Sequence, residues 1–366
     1  GSLFKLSVAN TPAFNGRIYA NFEYNASGTS SPTGGNAVSI DNLTISQGTF
    51  NFNMTAVSSI RGNISVANGA ALTFTPGSAT VTNLNGTGIQ SITTTGTGTI
   101  SVASSGNLTV VSGSTVNLGT SVITGLGTFT VASGATFRTG NTGGIAASGA
   151  TGSIQTTTRS FNTAANYVYN GTANQLTGTG LPATVNTLTI NNTGASSNNV
   201  VTLTAITAIT ATAGSLTLTA GRLDLNARQL TIPSGGNVVA TGGDFTATAG
   251  PLFFLGSGTT TGTMNIPTTT LAGTVTFNTG ANIVTSLQIN ASGAVQVAPT
   301  YGAASTLIYN SGTTYNRFNE WTVATSGAGY PNNITLLNNT TLNFVNGVNQ
   351  FRRAAGNLTV NTCLLY

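Results

Sequence analysis

The stretch Ser215–Gly236 reads SLTLTAG, RLDLNAR, QLTIPSGG, one short unit three times over. Each unit sets two branched apolar residues around one polar residue. The pairs are Leu216 and Leu218, Leu223 and Leu225, Leu230 and Ile232. Successive side chains of a strand point to opposite faces, so each pair points one way and the Thr or Asp between points the other. These six apolar residues are therefore predicted to face a core, with Thr217, Asp224 and Thr231 facing out. Gly, Asn, Ser or Pro then closes the unit. A half-wet strand with a turn every seven or eight residues cannot bury itself alone, and must stack on copies of itself. The fold predicted is all-β: a parallel β-helix (β-solenoid) of short strands, about three per rung, with lateral loops.

The same rhythm runs outward in both directions. Gly98–Ser104 (GTISVAS) returns as Gly127–Ser133 (GTFTVAS), with an earlier copy at Gly62–Asn68 (GNISVAN). The spacing varies, so loop lengths vary between rungs. A longer repeat overlies it: Ala164–Thr172 (AANYVYNGT) resembles Ala303–Thr313 (AASTLIYNSGT). The reading divides the chain into an N-terminal cap or edge at 1–36, a first block at 37–165 and a second at 166–347. The second carries an aromatic insertion at 313–332. Residues 348–366 are read as a C-terminal edge that continues in a longer parent protein. Residues 138–165, dense in Gly, are a lateral loop or a seam.

Composition agrees. Charged residues are 4% of the 366, against roughly 25% in ordinary globular domains. Glu and Lys, which helices favour, are nearly absent. No run of about eighteen apolar residues is available to span a bilayer as a helix. A membrane β-barrel needs longer strands and aromatic girdles that the sequence lacks. The net charge of +5 comes from scattered residues, with no basic stripe of the kind nucleic acid requires. The lone Cys363 allows no intrachain disulfide.

LTINNTG, SLTLTAGRLDLN, GNISVANGAALTF and ANYVYNGTANQLTGTGLPATVNTLTINNTG resemble repeat regions of the large surface proteins and adhesins of gliding Gram-negative bacteria. The resemblance covers about residues 37–345. It implies a parallel β-helix, export by the type IX secretion system, and an extracellular or cell-surface location. The partners it implies are surface glycans, other cell-surface proteins, copies of itself and the secretion machinery.

Chemistry has little to work with. Histidine is absent, which removes the usual triads and the commonest metal ligand. The carboxylates are Glu23, Asp41, Asp224, Asp244 and Glu320. Only Asp224 and Asp244, twenty residues apart, could meet across one rung as a glycosidase pair would. The reading is no enzyme, no cofactor and no metal. Gly140–Gly152 lacks the Lys of a phosphate loop. The Thr-x-Thr pairs are irregularly spaced and fit ordinary strand preference better than an ice-binding array. Asn in the turns is expected to stack as a ladder of side-chain amides. The densest group of contact residues is Tyr315, Arg317, Glu320 and Trp321, followed by Tyr330. Such residues suit sugar or protein contact, or the packing of a lateral segment over the core. The function expected is structural and adhesive: a rigid segment displaying loops for attachment. The alternative is a carbohydrate-binding or carbohydrate-active β-helix using the Tyr315–Trp321 patch.

Overall fold

The computed structural model describes residues 1–75, 80–247, 250–344 and 351–361. Cys363, with residues 348–350 and 362–366 of the expected C-terminal edge, lies outside them. Every regular element among the described residues is a β-strand, and the strands pair in parallel. The chain forms two compact units, Gly1–Pro182 and Ala183–Tyr366.

In the first unit, most strands pair with a strand a turn of chain earlier and with another a turn later. Phe22 lies opposite Leu43, Leu43 opposite Ile64, and Ile64 opposite Ile92. A second file runs Phe50, Leu72, Ile100, Ile123, Ile154. A third runs Ile60, Leu84, Val110, Val131. All of these side chains are buried. Apolar files at strand spacing are what the alternation demands: one face of every strand is removed from water by the strand above and the strand below. Residues 3–30 join the same pairing, with Phe4 opposite Phe22 and the two rings stacked 5.7 Å apart. At the bulge in Ile123–Val131, Gly125 adopts φ +115 and a Cβ there would run into the Val102 carbonyl. Only glycine fits such a position.

The second unit repeats the logic. Leu188, Leu216 and Val238 form one file, and Val201, Leu223 and Phe245 another. Leu230 continues to Leu252, Thr269, Leu287, Leu307 and Ile334. The six apolar residues of the Ser215–Gly236 stretch are all buried, while Thr217, Asp224 and Thr231 are half-exposed, as the alternation predicts. Several threonines depart from the outward rule, among them Thr82, Thr139, Thr156 and Thr207; Thr260 and Thr269 also lie inside, and their hydroxyls meet no donor or acceptor. The register puts them in core files, and register outranks residue preference. The strand Leu358–Val360 pairs in parallel on Asn333–Leu336 and stays exposed.

Asn ladders form as expected at several outer corners. Asn42 donates to Asn21 Oδ1 at 3.0 Å and accepts the Asn63 N–H at 2.9 Å. Asn282 donates to Asn265 at 3.0 Å, and Asn265 to Asp244 at 2.8 Å. Each rung thereby satisfies polar groups of the next.

Candidate functional site

The aromatic segment begins as a strand. Thr314–Asn316 pairs with Thr341–Asn343, Tyr315 opposite Leu342. The chain then leaves the pairing until Asn333. It turns back through Gly327 and Gly329, both at positive φ. The segment lies along residues 295–299: Asn319 donates its N–H to the Val295 carbonyl and its Nδ2 to that of Gln296, and the Gly329 N–H reaches Pro299.

Four of the five expected contact residues turn inward. Glu320 is fully buried. Its Oε1 accepts the Tyr309 hydroxyl at 3.0 Å, and both oxygens accept the Phe318 N–H at 3.1 Å. Its backbone carbonyl accepts the Tyr301 hydroxyl at 2.8 Å. Burial pushes the Glu320 carboxyl above its ordinary value, against the pull of these hydrogen bonds and of Arg317. Burial, with the neighbouring Glu320 charge second, raises Tyr301, Tyr309 and Tyr315. Arg317 is buried and its guanidinium donates to the carbonyls of Phe318 and Trp321. Trp321 is buried, donates Nε1 to the Arg353 carbonyl at 2.9 Å and meets Phe344 edge-on. Tyr315 packs on Tyr309 with centroids 5.4 Å apart. Tyr330 is half-buried. The exposed large apolar residues of the segment are Phe318, 49% exposed, and Val323. The segment thus closes over the core through its aromatics and offers a different ring, Phe318, to the outside.

A groove of 180 Å³ opens where this segment meets the stacked strands. Phe277, Gly280, Ala281, Val297, Thr300 and Ala328 line it. Two further grooves lie on outer corners: 340 Å³ along Ala240–Asp244 with Thr263, and 400 Å³ along Asp41, Arg61, Asn85 and Thr87.

The structure accounts for each carboxylate. Glu23 accepts Ser46 Oγ at 2.8 Å and pairs with Lys5 at 3.2 Å; the Ser46 hydrogen bond leads in holding its carboxyl low. Asp41 takes two guanidinium nitrogens of Arg61 on one oxygen, at 2.7 and 2.8 Å. Asp224 accepts the Asn226 N–H, and Asp244 accepts the N–H groups of Phe245 and Asn265. Asp244 stands opposite Arg222, not Asp224, because the register offsets the two acids along the strands. No three His, Cys, Asp or Glu side chains gather among the described residues. The outer file through Thr231 is not all threonine: Thr231 is followed by Phe253, Thr270, Gln288 and Ile308.

One device escaped the reading of the sequence. Asn85–Gln90 (NGTGIQ) and Asn170–Gln175 (NGTANQ) share the pattern N-G-T-x-x-Q. In both, the glutamine is buried and its Oε1 accepts the glycine N–H at 2.8 Å. Gln90 Nε2 donates to the carbonyls of Ile60 and Gly62; Gln175 Nε2 donates to those of Thr139 and Asn141. Each glutamine clamps a turn to the preceding rung. The repeated hexapeptide was the available signal. Compared with known proteins, the chain matches no family profile, no curated sequence and no solved structure.

Proposed function

We propose that the chain is a β-helical segment with a structural and adhesive role, part of a secreted or cell-surface repeat protein. The observation that supports it best is how the polar chemistry is used. Long parallel files bury the apolar residues, and every carboxylate is engaged by its own chain. The resemblance to type IX-exported adhesins adds the export route and the surface location to this proposal. Turnover on a panel of polysaccharides is the first test, with no product expected; released reducing ends or unsaturated sugars would overturn the non-enzymatic reading. Beads coated with the protein should be retained on glycan-bearing or abiotic surfaces, and failure on all of them removes the adhesive role. A crystal structure without stacked parallel rungs within each unit would remove the β-helix.

A second reading has one specific support: the 180 Å³ groove, which the aromatic segment lines through Ala328, with Phe318 exposed on the same segment. In this reading the groove binds carbohydrate, with Phe318 as the stacking ring. Glycan binding that is lost in Phe318→Ala, with the fold intact, would favour it.

A further inference from the structure

The sequence contains five Asn–Gly bonds: Asn15–Gly16, Asn68–Gly69, Asn85–Gly86, Asn170–Gly171 and Asn346–Gly347. The last lies outside the described residues. An Asn–Gly bond is chemically labile because glycine leaves its own nitrogen open to attack the neighbouring side chain. We propose that Asn15 and Asn68 are spontaneous deamidation sites, and that the glutamine clamps hold Asn85 and Asn170 inert.

The reaction needs no reagent but water. The Gly16 nitrogen gives up its proton to solvent and bonds to Cγ of Asn15. The Cγ–Nδ2 bond breaks and ammonia leaves. Water then opens the resulting succinimide at either carbonyl, giving an aspartyl or isoaspartyl residue at position 15. No atom is oxidised or reduced.

Three features expose Asn15 to this course, and Asn68 shares them: it and Gly69 are exposed in a turn closed by the Ala70 N–H on the Ala67 carbonyl at 3.0 Å, and its Oδ1 accepts the Thr97 N–H at 2.8 Å. Asn15 sits with Gly16 at the centre of a turn closed by the Arg17 N–H on the Phe14 carbonyl at 3.1 Å, and both residues are exposed. The structure gives the Gly16 N–H no acceptor among the described residues, so its proton is open to solvent. Asn15 Oδ1 accepts the Gly35 N–H at 2.6 Å. Negative charge develops on that oxygen when Cγ is attacked, and a donor already aimed there stabilises it.

Asn85 and Asn170 invert each feature. The Gly86 and Gly171 N–H groups are buried and each donates to a glutamine Oε1 at 2.8 Å. Asn85 donates Nδ2 to Ser59 Oγ at 3.2 Å, and Asn170 to Asn117 Oδ1 at 3.0 Å. Their own Oδ1 atoms are buried and meet no donor. The attacking nitrogen cannot lose its proton to water, and the oxygen that would carry the charge has nothing to stabilise it. Conversion at position 15 adds a negative charge beside Arg17 and lowers the net charge of +5 by one. The isoaspartyl product also lengthens the backbone next to buried Phe14.

The test is peptide mapping by mass spectrometry of the whole chain, held in mildly alkaline buffer at body temperature. Conversion at Asn15 and Asn68 is expected to be roughly tenfold or more faster than at Asn85 and Asn170, the factor one broken buried hydrogen bond supplies. In denaturant the four rates should converge, since all four bonds are Asn–Gly. An unconverted Asn15 or Asn68, or Asn85 or Asn170 keeping pace with them in the folded protein, overturns the proposal. Gln90→Met should release Asn85 selectively, with Asn170 as the internal reference. An inert Asn85 in folded Gln90→Met overturns the clamp's protective role.

Discussion

Replacing Gln90 with Met keeps the side-chain length and removes all three of its hydrogen bonds. Those bonds span 2.8 Å from the Gly86 N–H, 2.9 Å to the Ile60 carbonyl and 2.8 Å to the Gly62 carbonyl. Each contributes about 1 kcal/mol net, and the Gly86 N–H left buried without an acceptor costs about 1–3 kcal/mol instead of its share. The apolar Met stem returns about 1 kcal/mol through burial. The first unit should therefore lose about 2–4 kcal/mol. Global unfolding is a blunt readout here, because stacked repeats can lose cooperativity. Hydrogen exchange at the Gly86 amide reads the clamp directly, with Gly171 under the intact Gln175 clamp as reference. The Gly86 amide should exchange far faster in the variant while Gly171 is unchanged. Loss of less than about 0.5 kcal/mol, at the level of an ordinary surface change, with unchanged Gly86 protection, would refute the clamp.

Three further outcomes are expected. Burial raises the folded-state Glu320 pKa above its ordinary 4.5, so the folded state holds this proton more tightly than the unfolded chain. Its contribution is present below the unfolded value and lost as pH rises through the folded one; Glu320→Gln should flatten that decline and stabilise at neutral pH, and parallel pH–stability curves would contradict it. In the core, Leu218→Ala should cost about 2–5 kcal/mol by urea unfolding, and half-exposed Thr217→Ala within about 0.5 kcal/mol; equal losses would contradict the register. Arg159 donates to the carbonyls of Ala146, Gly149 and Thr156, so Arg159→Ala should loosen residues 140–153, read as faster limited proteolysis there; an unchanged cleavage pattern would show the loop stands without it.

The legible part of this protein was its strand pattern. Leu216, Leu218, Leu223, Leu225, Leu230 and Ile232 could be assigned to the core from spacing two alone, and they are there. Residues 3–30 were not legible as repeats, although Phe4, Phe22 and Leu43 stand in one file. Their turns are longer and carry no copied hexapeptide, so only pairing reveals them. The aromatic segment was legible as an exception and not as an orientation. Tyr315, Arg317, Glu320 and Trp321 could as easily face out as in, since nothing in the order of residues says which strands lie beneath.

The sequence by itself determined the alternation: which residue of each pair is apolar, where Gly and Asn break the strand, and how few charges remain for chemistry. These are local properties, decided by side-chain direction along an extended chain. Only the tertiary structure decided which strand lies on which. It placed Asp244 opposite Arg222 rather than Asp224, drew Thr260 and Thr269 into the core, and set Gln90 and Gln175 against carbonyls some thirty residues away. The physical reason is register: loop length fixes the offset between rungs, one residue of slip exchanges inside for outside, and that offset exists only once the rungs are stacked.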